Sequence, residues 1–214
     1  MENKKLRILN LYCGIGGNRK FWGDEHEITA VEYKPNVAKF YQDQFPKDKI
    51  VIADAHDYLL KHFMEFDFIW SSPPCPTHSQ IRFIATYSKE GKIRQKPVYP
   101  DMKLYEEILL LKHYFKGKWC VENVVGFYEP LIRPQQIGSH YFWMNFVCLP
   151  MNTESRDHYG TIESLEKRKG FDLKDYKGIN KRLALRNCVE PEIGKQILNF
   201  AINPIYEELQ SSLL

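Results

Sequence analysis

The chain has 214 residues, 43% of them hydrophobic and 27% charged, a balance that allows one domain with a packed core and excludes a disordered or fibrous chain. The formal net charge of +3 is mild and by itself selects no partner, and no apolar run approaches the roughly 20 residues that span a bilayer. The five cysteines, Cys13, Cys75, Cys120, Cys148 and Cys188, are odd in number and include no CxxC pair, so neither a disulfide framework nor a zinc site is expected, and most should be small buried hydrophobes. The start, MENKKLRILNLY, has too short an apolar stretch and no small-residue cleavage site for a signal peptide, which makes the cytoplasm the expected compartment.

Taken in chain order, Leu6 to Tyr12 has the apolar density of a buried strand and ends in the glycine-rich turn CGIGGN. A second strand runs from Ile28 to Tyr33, and the stretch between has the length of one helix, so a β-α-β unit is expected with the glycines at its first turn. Pro35 opens a helix, as proline favours the first helical position. Lys49 to Ala55 is a third strand, and FDFIWSSPPC places a fourth before a proline-rich corner. From Thr77 to Pro100 the pattern gives way to a long polar and basic loop, a length more often functional than incidental. Leu104 to Phe115 is helical in period, while Trp119 to Val124 and His140 to Cys148 are strand-like. Met151 to Lys181 is polar and irregular, and a last helix starts near Pro191. Strands alternating with helices predict an α/β fold, a mainly parallel sheet with helices on both faces. Ligands of such sheets bind at the carboxyl ends of the strands.

Three clusters fall at those ends. In Tyr12-Cys13-Gly14-Ile15-Gly16-Gly17 the glycines allow a sharp bend and close approach to a ligand, but the dinucleotide spacing and the Lys-Ser/Thr pair of a phosphate loop are both missing. Glu32, ending the second strand, suits the two hydroxyls of a ribose, and Asp54, ending the third, could accept from an adenine amine. Each alone also reads as a solvated strand-end carboxylate; together, with no phosphate cradle, they favour S-adenosylmethionine over a nicotinamide dinucleotide. In Ser71-Ser72-Pro73-Pro74-Cys75-Pro76 the prolines hold a thiol at the sheet edge, where its thiolate would be the reactive form. In Val121-Glu122-Asn123-Val124 a carboxyl group reaches the same edge, where burial could keep it protonated as an acid.

In this order, NLYCGIGGNRKFW, VEYKP, ADAHDY, SSPPCP, VENV and LRNCVEPEIGKQIL resemble the motifs of the cytosine-C5 methyltransferase family, from about Leu6 to Leu198. The resemblance implies a Rossmann-like S-adenosylmethionine-dependent methyltransferase fold, with S-adenosylhomocysteine as product and no metal. It implies that Cys75 adds to carbon 6 of a flipped-out cytosine while Glu122 contacts and protonates ring nitrogen 3. The cofactor would be held by Tyr12, stacked on adenine, by Gly14, Gly16 and Gly17, by Glu32, Asp54 and Pro73, and by Asn187. The stretch from Thr77 to Pro100 would close over the base, with Lys89, Arg94 and Lys96 meeting phosphates.

The chain departs from that family at Pro76, where glutamine is common, at Arg186, where glycine is common, and at the arginine motif that grips the cytosine oxygen. Gly138-Ser139-His140 stands in the last region, leaving Arg133 and His140 as candidates. The recognition domain shrinks to about residues 151–181, with Arg156, His158, Lys167, Arg168 and Lys169, too short to fold independently. The expectation is a single catalytic domain over 1–214 that acts as a monomer on double-stranded DNA, with a protein partner as one source of specificity. A tRNA or single-stranded substrate, and a silent nucleic-acid-binding relative, are the alternatives.

Overall fold

The computed structural model describes residues 5–88, 90–149, 151 and 160–203. Its centre is a sheet of seven strands in the order β3-β2-β1-β4-β5-β7-β6: β1 (Arg7–Leu11), β2 (Glu27–Glu32), β3 (Lys49–Ile52), β4 (Phe68–Ser71), β5 (Lys118–Val124), β6 (Gln135–Ile137) and β7 (His140–Met144). The first five in that order run parallel, and β7 and β6 join antiparallel. β1 is buried from Ile8 to Leu11 and β4 throughout, because both of their faces are covered. The chain proceeds from β1 outward to β3, then returns to lay β4 on the other side of β1. The carboxyl ends of β1 and β4 therefore flank the switch point, where a ligand crevice forms in open α/β sheets.

The helices are α1 (Pro35–Gln44), α2 (Ala55–His62), α3 (Gln80–Thr86), α4 (Lys103–Tyr114), α5 (Ile162–Lys169), α6 (Lys181–Asn187) and α7 (Pro191–Ile202). One face of the sheet buries Leu9, Leu11, Ile69 and Val121 against Leu59 of α2 and Ile108 and Leu111 of α4. The other buries Ile8, Phe68, Trp70 and Phe142 against Ile193, Ile197 and Leu198 of α7. A third cluster joins Phe40 of α1 to Leu165 of α5 and Leu185 of α6. Pro35 and Pro191 open α1 and α7, Asp54 caps α2, and Asn180 caps α6.

The helix expected between β1 and β2 is absent: residues 12–26 form turns. Polar and aromatic anchors hold the segment instead. Arg19 is buried and pairs with Asp48 at 2.8 and 3.0 Å. Asn18 donates to Asn10 at 2.8 Å, and Trp22 Nε1 donates to the Gly194 carbonyl at 3.0 Å. Gly16 and Gly23 adopt φ of +84° and +80°, values that interrupt a right-handed helix. The expected loop from Thr77 to Pro100 contains α3, and the irregular stretch from Met151 to Lys181 contains α5.

Candidate active site

β1 delivers its turn directly to the switch point. Tyr12 is the one non-glycine residue among those described with positive φ, at 53°, a costly conformation that its surroundings must hold in place. Two bonds do so: Cys13 N–H donates to the Val31 carbonyl at 3.0 Å, and the Tyr12 hydroxyl donates to Glu107 Oε1 at 2.6 Å. Glu107 is completely buried. It also accepts from Ser71 Oγ at 2.6 Å and lies 3.1 Å from His56 Nδ1. One carboxyl group on α4 thus ties together the ends of β1 and β4 and the start of α2. Neither Glu107 nor His56 is among the site residues expected from the sequence. A signal was present, since Leu104, Glu107, Ile108 and Leu111 share the i, i+3, i+4, i+7 stripe of α4, and a carboxylate in such a stripe needs buried partners.

The three glycines of the turn play different parts. A Cβ on Gly14 would meet only the Tyr12 carbonyl, at 3.9 Å, so open space lies before it. On Gly16 it would come within 2.3 Å of the Phe45 ring, and on Gly17 within 2.2 Å of the Val189 carbonyl. A side chain at Gly16 or Gly17 would therefore collide with α1 or the approach to α7, whereas one at Gly14 would meet open space. Gly14 N–H donates to Glu32 Oε2 at 3.1 Å, and Lys34 N–H donates to Glu32 Oε1 at 2.9 Å. Each oxygen of Glu32 keeps a lone pair for a further donor. Asp54 accepts from Asp57 N–H at 3.0 Å, and that bond holds its carboxyl group below the usual range. Asn187 ends α6 and is exposed.

Four of the five cysteines are buried; Cys75 is the half-buried exception. Burial pushes the thiols of Cys13 and Cys120 far up, Cys148 to about 12 and Cys188 to about 11. The Cys75 thiol is also raised, by burial first and then by the charge of Glu122, while Arg186 acts to lower it. Ser71 of β4 is level with Val121 of β5, so Glu122 sits one step beyond the end of β4. Asn123 Nδ2 donates to the Pro73 carbonyl at 2.9 Å, joining the glutamate strand to the buried proline before Cys75. Beyond the cysteine, His78 and Ser79 N–H groups both donate to the Cys75 carbonyl, at 2.9 and 3.1 Å. His78 Nδ1 lies 2.6 Å from the Tyr128 hydroxyl, and Phe127 N–H donates to the His78 carbonyl at 3.1 Å. The cysteine turn is thereby stitched to the chain after β5.

β7 lies antiparallel to β5 with His140 opposite Val124. His140 Nε2 stands 3.7 Å from Glu122 Oε1. Arg133, Arg94 and Lys96 are exposed; Lys89, Arg156 and His158 lie outside the described residues. The basic triplet divides. Lys169 is buried, pairs with Glu190 at 2.6 Å and donates to the Cys188 carbonyl, and Arg168 approaches the same Glu190 at 3.4 Å. Both cations therefore face inward, and of the three only Lys167 is exposed.

Residues 6–94, under half of the chain, match the model of the family described as C-5 cytosine-specific DNA methylase. Over 87 residues the chain is 32% identical to the Type II methyltransferase M.Bsp6I of a Bacillus strain, a match covering 39% of this chain and 26% of that protein. The matched part thus spans about a quarter of the relative's length. The Entamoeba histolytica methyltransferase EhMeth superposes with a TM-score of 0.58 at 13% identity, over 94% of this chain and 99% of that one. DNMT2 of Spodoptera frugiperda, solved as a mutant, gives 0.42 at 22% identity over 71% and 53%. The fold, a mostly parallel sheet between helices, is shared with the Entamoeba histolytica methyltransferase. The segment that matches the C-5 cytosine-specific DNA methylase model carries the glycine turn, Glu32, Asp54 and Cys75. No helix among the described residues is long and apolar enough to cross a membrane.

Proposed function

We propose that this chain is a DNA cytosine-C5 methyltransferase in which Cys75 is the nucleophile and Glu122 the acid. The observation that carries the reading is the bond from Asn123 to the Pro73 carbonyl. It ties the turn of the only partly exposed cysteine to the residue next to Glu122, near the carboxyl end of β5.

Gly14, Glu32 and Asp54 fit S-adenosylmethionine. Glu32 keeps acceptor capacity for two ribose hydroxyls, and Asp54 stays ionised and exposed for an amine donor. Open space before Gly14 permits close approach to the backbone. When bound, the cofactor supplies an electrophilic methyl group. The protein's task is to make carbon 5 of cytosine nucleophilic. The Cys75 thiolate adds to carbon 6 while the Glu122 carboxyl delivers a proton to nitrogen 3, and the electron pair released into the ring makes carbon 5 an enamine carbon. After methyl transfer, loss of the carbon 5 proton to solvent expels Cys75, and return of the nitrogen 3 proton to Glu122 restores both the aromatic ring and the acid. The covalent route divides one difficult displacement into two easier steps, and the base must leave its stack to be reached. In place of the missing arginine motif, His140 is the better candidate for the cytosine oxygen. Its support is the 3.7 Å separation from Glu122. Arg94, Lys96 and Lys89 are assigned to phosphates, residues 1–214 to one catalytic unit, and 151–181 to a reduced recognition segment.

The test is bisulfite sequencing of a plasmid recovered from cells expressing the chain, beside a Cys75→Ala control. Protected cytosines in a short motif, absent from the control, are expected. Protection that survives in the control overturns the nucleophile; protection in neither overturns duplex DNA as the substrate.

A further inference from the structure

A cavity of about 300 Å³ opens on the far side of the cysteine turn. Thr77 and Ser79, two and four residues beyond Cys75, belong to its wall, so the cavity adjoins the chain that follows the cysteine. Its other walls are mainly aromatic: Phe83 from α3, Tyr87 just after it, Tyr99 from the chain before α4, and Phe127 and Tyr128 from the chain after β5. Phe83 and Phe127 are already stacked, with centroids 4.5 Å apart and planes 5° from parallel. Phe83, Tyr87 and Tyr99 remain 42%, 38% and 91% exposed. Grouped rings left in water around one opening mark a binding site more often than a packing defect.

The charge around the opening identifies the class of occupant. Arg82 is a wall residue. The described residues between 80 and 99 include Arg82, Lys92, Arg94 and Lys96 against the single carboxylate of Glu90. Flat aromatic faces combined with a surplus of cations match a nucleobase attached to a phosphodiester backbone; an apolar peptide would use the rings and leave the cations without a role. Base-on-ring stacking of this kind tolerates any base, because each presents a π face.

We propose that this cavity is a second nucleobase site, which takes an unstacked base from the strand whose cytosine lies at Cys75. The proposal rests on the reading of the chain as an enzyme acting on nucleic acid, and it adds a device for holding the strand open beside the target. A neighbouring base held in this cavity would contribute affinity close to the chemistry.

The experiment uses short single-stranded oligodeoxynucleotides with one cytosine and the fluorescent base 2-aminopurine placed at successive neighbouring positions. The full chain is titrated into each, and methyl transfer to the same oligonucleotides is measured in parallel. Quenching confined to particular offsets from the cytosine is expected, equal in the wild type and in Cys75→Ala. Tyr99→Ala and Phe83→Ala should each weaken binding at those offsets about tenfold. Tyr99 is almost wholly exposed, so its variant reports on stacking without a change in the core. Quenching that ignores position, or that survives in both ring variants, overturns the site. Methyl transfer with no such quenching also removes the site but leaves the enzyme reading standing. Position-dependent quenching without methyl transfer keeps the site and removes the reaction.

Discussion

Asn123 Nδ2 donates to the Pro73 carbonyl at 2.9 Å, and its own Oδ1 accepts from Val124 N–H at 3.0 Å. One buried amide therefore spends both ends on backbone groups, one in the cysteine turn and one in β5. Asn123→Ala should leave the buried Pro73 carbonyl unpaired, a loss of about 1–3 kcal/mol in stability. Because the freed turn carries Cys75, kcat for methyl transfer should fall far more than cofactor affinity. Equilibrium denaturation, single-turnover transfer and cofactor titration on one preparation measure the three quantities. Wild-type kcat in the variant would show that the turn holds its place without the amide.

The Cys75 thiol is raised above its ordinary value by burial and by Glu122, and Arg186 opposes the shift. A raised thiol is mostly protonated at neutral pH, so the thiolate fraction grows about tenfold per pH unit until the raised value is passed. Single-turnover transfer at saturating cofactor should accordingly climb from neutral into the alkaline range. Arg186→Gln removes the opposing charge, and the rise should then move to higher pH. A profile flat above neutral would contradict the protonated resting thiol, and one unmoved by the substitution would remove Arg186 from its surroundings.

Lys169 and Glu190 form a buried ion pair 2.6 Å long that fastens α5 to the approach to α7. Removing one partner of such a pair costs about 3–5 kcal/mol, because the other is left charged in a poor solvent. Lys169→Met should fall at the low end, since Arg168 still reaches Glu190 at 3.4 Å. The double variant Lys169→Met/Glu190→Leu should recover much of the loss, which denaturant midpoints will show. The salt dependence of nucleic-acid binding should be unchanged in the single variant, because this ammonium group faces the protein interior.

Much of the scaffold is legible from residue pattern alone. Leu6 to Tyr12 and FDFIWS announce strands covered on both faces, and Pro35 and Pro191 announce helix starts, because alternation, apolar runs and proline act over a few residues. The same local rules put Cys75, Glu122, Gly14 and Glu32 at strand ends, and the topology then brings those ends to one edge. Pattern also overreached between β1 and β2, where the spacing suited a helix. The decision there belongs to Arg19 and Asp48, 29 residues apart in sequence, whose pairing no short window contains.

The amino-acid sequence by itself therefore determined the class of fold and the order of the chemical groups along it, since both are written in periodicity and in short motifs. Tertiary structure alone decided which glycine faces open space, that Lys169 is an internal cation, and that Glu107 ties three elements together at Tyr12, Ser71 and His56. Those outcomes depend on contacts between residues far apart in the chain. What decides them is which distant groups burial leaves in need of a partner, and that need exists only once the sheet and its helices have closed around them.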